Sequence, residues 1–300
     1  MKILMTGDMG FVGSATKRHF AENHPSIEVI GYDLMNGFDI RDEQQLMDTV
    51  SKIRPDRILH LAAIARFADA DRDPMLAFET NVRGTRNVVV VAEKFHIPLV
   101  YASTGSVYMP ISRDPPITED FECKGNSVYG CTKYMGEMFV RTHVPHIILR
   151  YAHLYGQEKR MHGLIGGFMD RIERGLAPVL YGGKQSNDFT YIKDVAEAND
   201  LALQASWDKW NQAYNIGTGE ELSSEEAGRL VCELSGYKGK VEVRDARTVD
   251  PQRFVYSIDK AIRMLGYCPK YSFREGLEDM FGPRTGGEEQ RRSTVSATST

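Results

Sequence analysis

Short apolar runs alternate with longer stretches of helical periodicity through the first half of this 300-residue chain. The runs are Lys2–Thr6, Ile27–Tyr32, Arg57–Ala63, Pro98–Ser103 and His146–Arg150. Helical patterns lie between them: from the glycine-rich turn after Thr6 to about His24, from an Asp42 cap through Ile53, from Pro74 to Phe95, and from Ser127 to His143. Strands this short, each followed by a helix, predict parallel pairing through right-handed crossovers. The expected class is therefore α/β, with a doubly wound parallel sheet.

After Tyr155-Gly156 the alternation stops. Residues 157–187 are rich in Gly, Arg and Lys and predict loops around one helix, Leu164–Arg174. A helix over Val195–Ala205, a strand over Ala213–Ile216 and a helix over Ser224–Leu234 capped by Ser223 follow. A final helix, Asp259–Leu265, is stopped by Gly266. The pattern divides the chain into a larger domain, 1–156 joined by parts of 188–216, and a smaller α/β lid from 157–187 and 217–282. Residues 283–300 lack large apolar side chains beyond one Val and are expected to be disordered.

Composition narrows the function by exclusion. The apolar share (42%) and charged share (26%) are those of an ordinary globular protein. A net charge of -4 gives no reason to expect nucleic acid or an anionic membrane as partner. No apolar stretch is long enough to span a bilayer. Met1 leads directly into a strand, with no room for a signal peptide. Cys123, Cys131, Cys232 and Cys268 show neither metal-ligand spacing nor a disulfide framework, so no metal is expected and the location is expected to be cytoplasmic.

Chemistry enters with Gly7-x-x-Gly10-x-x-Gly13, which sits between a strand and a helix. Glycines there allow a tight turn, close backbone approach to a pyrophosphate, and close helix–sheet packing, while the helix N-terminus favours the anion. Asp33 follows Gly13 by 20 positions at the end of the second run. Its carboxylate suits adenosine ribose hydroxyls and repels a 2′-phosphate, favouring NAD over NADP. Asp39 and Ile40 are placed at the adenine edge. Ala62 and Ala63 would let the cofactor pass close to the backbone, and core packing explains them equally well.

Tyr129 and Lys133 are four apart on a predicted helix, hence on one face. An adjacent ammonium would lower a tyrosine pKa from ~10 toward neutrality, so that it takes a proton from a sugar hydroxyl as hydride leaves the same carbon. Thr104, after an apolar run that includes Ser103, would hold that hydroxyl. Tyr256 and Lys260 show the same spacing. They lie outside the alternating half and far from the strand-end hydroxyls, and are read as structural. Cys131 is read as a packing residue.

With these elements in order, the chain resembles extended short-chain dehydrogenase/reductases of the NAD-dependent epimerase/dehydratase family, which modify nucleotide-sugars. Further matching stretches are HLAA (60–63), ETNVRGTRNV (79–88), LRY…YG (149–156), DFTYIKDVAEA (188–198), YNIGTG (214–219) and SIDKAIRMLGYCP (257–269). The resemblance implies a Rossmann-type domain, NAD as cofactor, Thr104, Tyr129 and Lys133 as catalytic trio, and a homodimer formed through the helices at Pro74–Phe95 and Ser127–His143. It also implies cofactor contacts from Phe11, Val12, Leu61, Asn81, Ser103 and Tyr151. Related 4,6-dehydratases carry an Asp-Glu pair after the strand-end threonine, where this chain has Gly105-Ser106. The expected activity is therefore nucleotide-sugar epimerisation at C4. The alternatives are a ketosugar reductase and a non-catalytic dinucleotide sensor.

Two departures affect the substrate side. His153 stands where relatives often have a phosphate-proximal asparagine, and Asn187 stands where they often have arginine before Asp188-Phe189. Losing that guanidinium removes a bidentate phosphate contact. Arg247 resembles the family's second phosphate-binding arginine, and Arg253 is near it; either is a candidate to compensate, and surface arginine is an equal reading.

Overall fold

The computed structural model describes residues 1–108, 116–125, 127–142, 145–157, 161, 163–246 and 253–282. In chain order the first elements are β1 (Lys2–Thr6), α1 (Phe11–Asn23), β2 (Glu28–Tyr32), α2 (Glu43–Ile53), β3 (Arg57–His60), α3 (Phe67–Arg72) and α4 (Pro74–Phe78). There follow α5 (Thr85–Phe95), β4 (Leu99–Thr104), α6 (Val128–Thr142), β5 (His146–Tyr151), β6 (His153–Tyr155), α7 (Gly163–Glu173), β7 (Val179–Tyr181), β8 (Ser186–Asn187) and β9 (Phe189–Tyr191). The chain continues with α8 (Ile192–Leu203), β10 (Gln212–Ile216), β11 (Leu222–Ser223), α9 (Ser224–Ser235), β12 (Glu242–Arg244), β13 (Arg253–Phe254), α10 (Asp259–Leu265) and α11 (Phe273–Phe281).

Six strands make one parallel sheet in the order β10-β5-β4-β3-β1-β2. Side chains alternate across a strand, so neighbouring residues feed opposite cores. Ile3 and Met5 join the core shared with α8, while Leu4 joins the one beneath α2 and α5. Val100 and Tyr101 divide in the same way. α1 packs on α8 over one face, and α5 packs between α2 and α6 over the other. This is the expected doubly wound arrangement, with β10 recruited from the second half of the chain. The remaining strands form three small sheets: β11-β8-β13, β12-β7 and β6-β9.

The helix expected from Pro74 to Phe95 is present and continuous, but it widens partway along. α4 and α5 are joined by a wide π-type turn over Glu79–Gly84. The widening turns Asn81 inward, where it is fully buried. Its Oδ1 accepts from the Ile64 N–H (2.8 Å), and its Nδ2 donates to the Ile64 carbonyl (3.1 Å) and to Thr132 Oγ1 (3.0 Å). Gly84 is needed because a β-carbon there would lie 2.7 Å from Ile40 Cδ1. α3 and α11 were not anticipated, although Ser272 and Glu275 form a full capping box at α11. Among the described residues no helix is long and apolar enough to cross a membrane, and the four cysteines are free. The tail over 283–300 lies outside the described residues.

Candidate active site

The C-terminal ends of β1, β2, β3 and β4 open onto one edge of the sheet, where ligands bind in folds of this kind. Gly7 follows β1 with φ +72°, and a β-carbon on it would lie 2.7 Å from the Ala62 nitrogen. The exit of β3 is held there by the Leu61 N–H donating to the Thr6 carbonyl (3.1 Å) and the Ala62 N–H donating to Thr6 Oγ1 (3.2 Å). Ala63 follows, half-buried. Gly13 presses its bare α-carbon on the backbone of Gly7 and Asp8, leaving no room for a side chain. Gly10 caps α1 without a side-chain bond, and the Ser14 N–H donates to the Gly10 carbonyl. The N–H groups of Phe11, Val12 and Gly13 thus lie before the first helical bond and point beyond the helix.

Asp33 ends β2 beside this turn. Its oxygens accept from the Met35 N–H (2.9 Å) and the Met9 N–H (3.2 Å), which fixes the carboxylate next to the glycines. These features fit a dinucleotide: a bare-backbone cradle, a helix N-terminus for the anion, and a held carboxylate at the end of the neighbouring strand. Two residues expected at the adenine edge are engaged internally. Asp39 is bound through both oxygens by Arg41, which holds its carboxyl below the usual range, and Ile40 is buried beneath Gly84.

Tyr129 and Lys133 lie one turn apart on α6, facing the end of β4. The Tyr129 ring meets Phe67 edge-on at 5.3 Å. Thr104 accepts from the Ser106 N–H (3.2 Å) and donates to Ser106 Oγ (3.3 Å), with the Tyr129 side chain near its hydroxyl. The Lys133 ammonium sits 4.1 Å from the centre of the Tyr101 ring and, among the described residues, has no ion pair. The electrostatics differ from the expected depressed tyrosine. Burial pushes Tyr129 up to about 12, with the Thr104 hydroxyl pulling the other way, and burial pushes Lys133 down to about 7 against the pull of Glu137. Both charged forms lose solvation here, and an amine half-neutral near pH 7 cannot offer the phenol a full charge.

Beneath the trio lies a buried network that the sequence did not reveal. Arg150 binds Glu137 bidentately (2.9 and 2.7 Å), and Ser103 Oγ donates to Glu137 Oε1 (2.6 Å). Arg150 also donates to Tyr108 Oη (2.9 Å), which donates to Asn215 Oδ1 (2.6 Å). Glu137 lies one turn beyond Lys133, so the pair locks α6 to β4, β5 and β10. The signal was Glu137 at i+4 from Lys133, masked because a helical glutamate is normally exposed. The Ser103 hydroxyl is thus held beneath α6. Tyr151 likewise donates to Asn199 Oδ1 (2.5 Å), and Asn199 donates to Thr16 on α1 (2.9 Å).

Beyond the end of β5, His153 is exposed, with its ring 6.0 Å from Phe189 and 6.4 Å from Phe254. Asn187 is buried on β8 and its amide reaches Ser224 Oγ (3.4 Å). Asp188 beside it clamps the turn after β10, accepting from the Thr218 and Gly219 N–H groups (2.8 and 2.9 Å). Arg253 is paired with Glu221 (2.8 Å). Arg247 lies outside the described residues. The placement of Tyr256 corrects the reading that it is remote from the strand-end hydroxyls. It is buried, and its hydroxyl stands where a side chain on Gly105 would be, immediately after Thr104. The chain folds back between β13 and α10, a path that spacing along the sequence does not show.

The profile of the NAD dependent epimerase/dehydratase family matches residues 3–217, and the chain belongs to that family. A putative UDP-glucose 4-epimerase of Methanocaldococcus jannaschii is 29% identical over 299 residues, covering 92% of this chain and 96% of that one. The crystal structure of UDP-glucose 4-epimerase from Thermotoga maritima with UDP-glucose superposes with a TM-score of 0.86 at 29% identity, over 94% of this chain and 97% of that one. DesIV, a dTDP-glucose 4,6-dehydratase from Streptomyces venezuelae solved with NAD and TYD bound, also gives 0.86, at 26% identity and 94% and 96% coverage. The protein is thus an enzyme of the short-chain dehydrogenase/reductase type that uses NAD.

Proposed function

We propose that the chain is a nucleotide-sugar 4-epimerase. The observation that supports this over dehydration is the surroundings of Thr104: the two following positions hold glycine and serine, and the space above Gly105 is taken by the neutral phenol of Tyr256. Burial keeps that phenol well above its ordinary pKa, so it supplies no carboxylate for eliminating water. NAD supplies reversible hydride acceptance when bound. Gly7, Gly10 and Gly13 with the first turn of α1 would hold its pyrophosphate, Asp33 its adenosine ribose and Lys133 its nicotinamide ribose.

Thr104 and Tyr129 would together grip the sugar 4-hydroxyl. In oxidation the O–H proton passes to the Tyr129 oxygen as hydride leaves C4. In the return step Tyr129 gives that proton back to the carbonyl oxygen while hydride arrives on the other face. Lys133 assists by taking up a proton and becoming ammonium when the phenol loses its own. His153, Asn187 and Arg247 are the substrate-side candidates, with the lid of 157–187 and 217–282 closing over the sugar and 1–156 with parts of 188–216 holding the dinucleotide. The exposed Met75, Leu76 and Phe78 of α4 and Met135, Met138 and Phe139 of α6 form an apolar face suited to a homodimer. Four free thiols suit the cytoplasm.

Mass spectrometry of the cofactor released from purified protein, followed by incubation with UDP- and dTDP-sugars, tests this reading. The expected result is NAD in the extract and C4 isomers formed without net consumption of reduced cofactor. Turnover only with added NAD(P)H and a ketosugar would replace the reading with a reductase.

A further inference from the structure

We propose that His19, His24 and Asp200 form a binding site for a divalent transition-metal cation, zinc by ligand type, at the end of α1 away from the glycine turn. His19 lies nine residues beyond Gly10, about 13 Å along the helix axis at its usual rise, so the site is separate from the dinucleotide cradle. His24 caps the same helix, and Asp200 comes from α8 packed beside it.

The geometry is convergent. His19 Nε2 lies 3.0 Å and His24 Nε2 2.7 Å from the same Oδ2 of Asp200, and all the ligating atoms lie within 4.8 Å of one another. Tetrahedral zinc, with bonds of about 2.0–2.2 Å, spaces its ligands about 3.3–3.5 Å apart, so a small opening of the cluster accommodates it. Two imidazoles and a carboxylate are a borderline N2O set that selects zinc over magnesium or calcium. The fourth position opens to solvent: the side chains are 19%, 34% and 8% exposed for His19, His24 and Asp200.

The surroundings orient the ligands. Gln204 Nε2 donates to Asp200 Oδ1 (2.6 Å), leaving Oδ2 to face the histidines. Without metal, both ring Nε2–H groups donate to that one oxygen. With metal, each Nε2 gives its lone pair to the cation and the ring proton resides on Nδ1. Asn23, whose amide lies 3.4 Å from His19 Nδ1, must then rotate to present its oxygen. The neighbouring Asn199 already ties α8 to Thr16 of α1, so the cation would add a second tie along the same seam.

The test uses the full chain, tag-free and stripped with EDTA, titrated with zinc chloride by calorimetry and by NMR of the histidine ring nitrogens. The expected result is one zinc per chain, with the Nε2 signals of only two of the eight histidines moving to metal-bound positions. Zinc should raise the melting temperature of the native chain, and His24→Ala should weaken binding by at least about tenfold. Absence of one-to-one binding, zinc uptake unchanged in His24→Ala, or zinc uptake without movement of two ring signals would each overturn the site. The ring signals are read on the native chain, so a poorly folding variant leaves the test intact.

Discussion

Tyr129 with Lys133 and Tyr256 with Lys260 both show the Tyr-x-x-x-Lys spacing, and these two copies do different things. Tyr129 and Lys133 share one face of α6, whose first turn opens at the sheet edge. Tyr256 precedes α10 and Lys260 lies inside it, so no common helix aligns them. Lys260 instead donates to Gln212 Oε1 (2.8 Å). The first lysine is buried without an ion pair among the described residues, and the second is bonded to its neighbour. Four residues of spacing place two side chains together only where the backbone is helical throughout.

The largest separation between the copies should appear in turnover. Tyr129→Phe is expected to lower epimerisation by about 10²–10⁴-fold, the usual range for losing a positioned proton-transfer group. Tyr256→Phe should stay within about tenfold, as the hydroxyl lines the site without exchanging the reacting proton. Equal losses in steady-state assays would erase the distinction. Next comes the support beneath the first copy. Glu137→Gln leaves Arg150 buried without its counter-charge and should cost about 3–5 kcal/mol in urea unfolding, against less than about 1 kcal/mol for Glu221→Gln at the more exposed Arg253 pair.

Gly105→Ala should destabilise by about 1–3 kcal/mol through overpacking against Tyr256. Combined with Tyr256→Leu, the double variant should cost less than the sum of the singles. Simple additivity would show that the two positions do not touch.

Lys133→Met tests the burial of the first lysine. Folding lowers this amine from 10.5 to about 7, so between those values the unfolded chain holds a proton that the folded one lacks. Stability contributed by the native lysine therefore rises with pH across that window. In dinucleotide-free protein the variant should be more stable near pH 7, with the advantage shrinking toward pH 10.5. An advantage that is flat with pH would place the lysine in solvent. The smallest effect is expected for Lys260→Ala, which should leave turnover unchanged in the same assay.

The local signals were legible. β1 and α10 fall at the expected residues, Asp42 and Ser223 cap α2 and α9 through their side chains, and β10 departs by one residue. Hydrophobic period and capping chemistry act within a few positions, so sequence reports them directly. What stayed hidden depends on contacts distant along the chain. The wide turn at Glu79–Gly84 answers to Ile40 and Ile64. The inward Ser103 and Glu137 answer to Arg150, and Tyr256 reaches Gly105 across about half the chain. The internal partners of Asp39 and Tyr151, Arg41 and Asn199, likewise could not be read from local pattern.

The space shared by Gly105 and Tyr256 also limits how this chain can change. A lineage gaining an acidic side chain at position 105 would first strike the phenol, and one shrinking position 256 alone would leave a hole beside the threonine. Each substitution is harmful until the other is present, so mutational drift toward elimination chemistry must cross a fitness valley two steps wide.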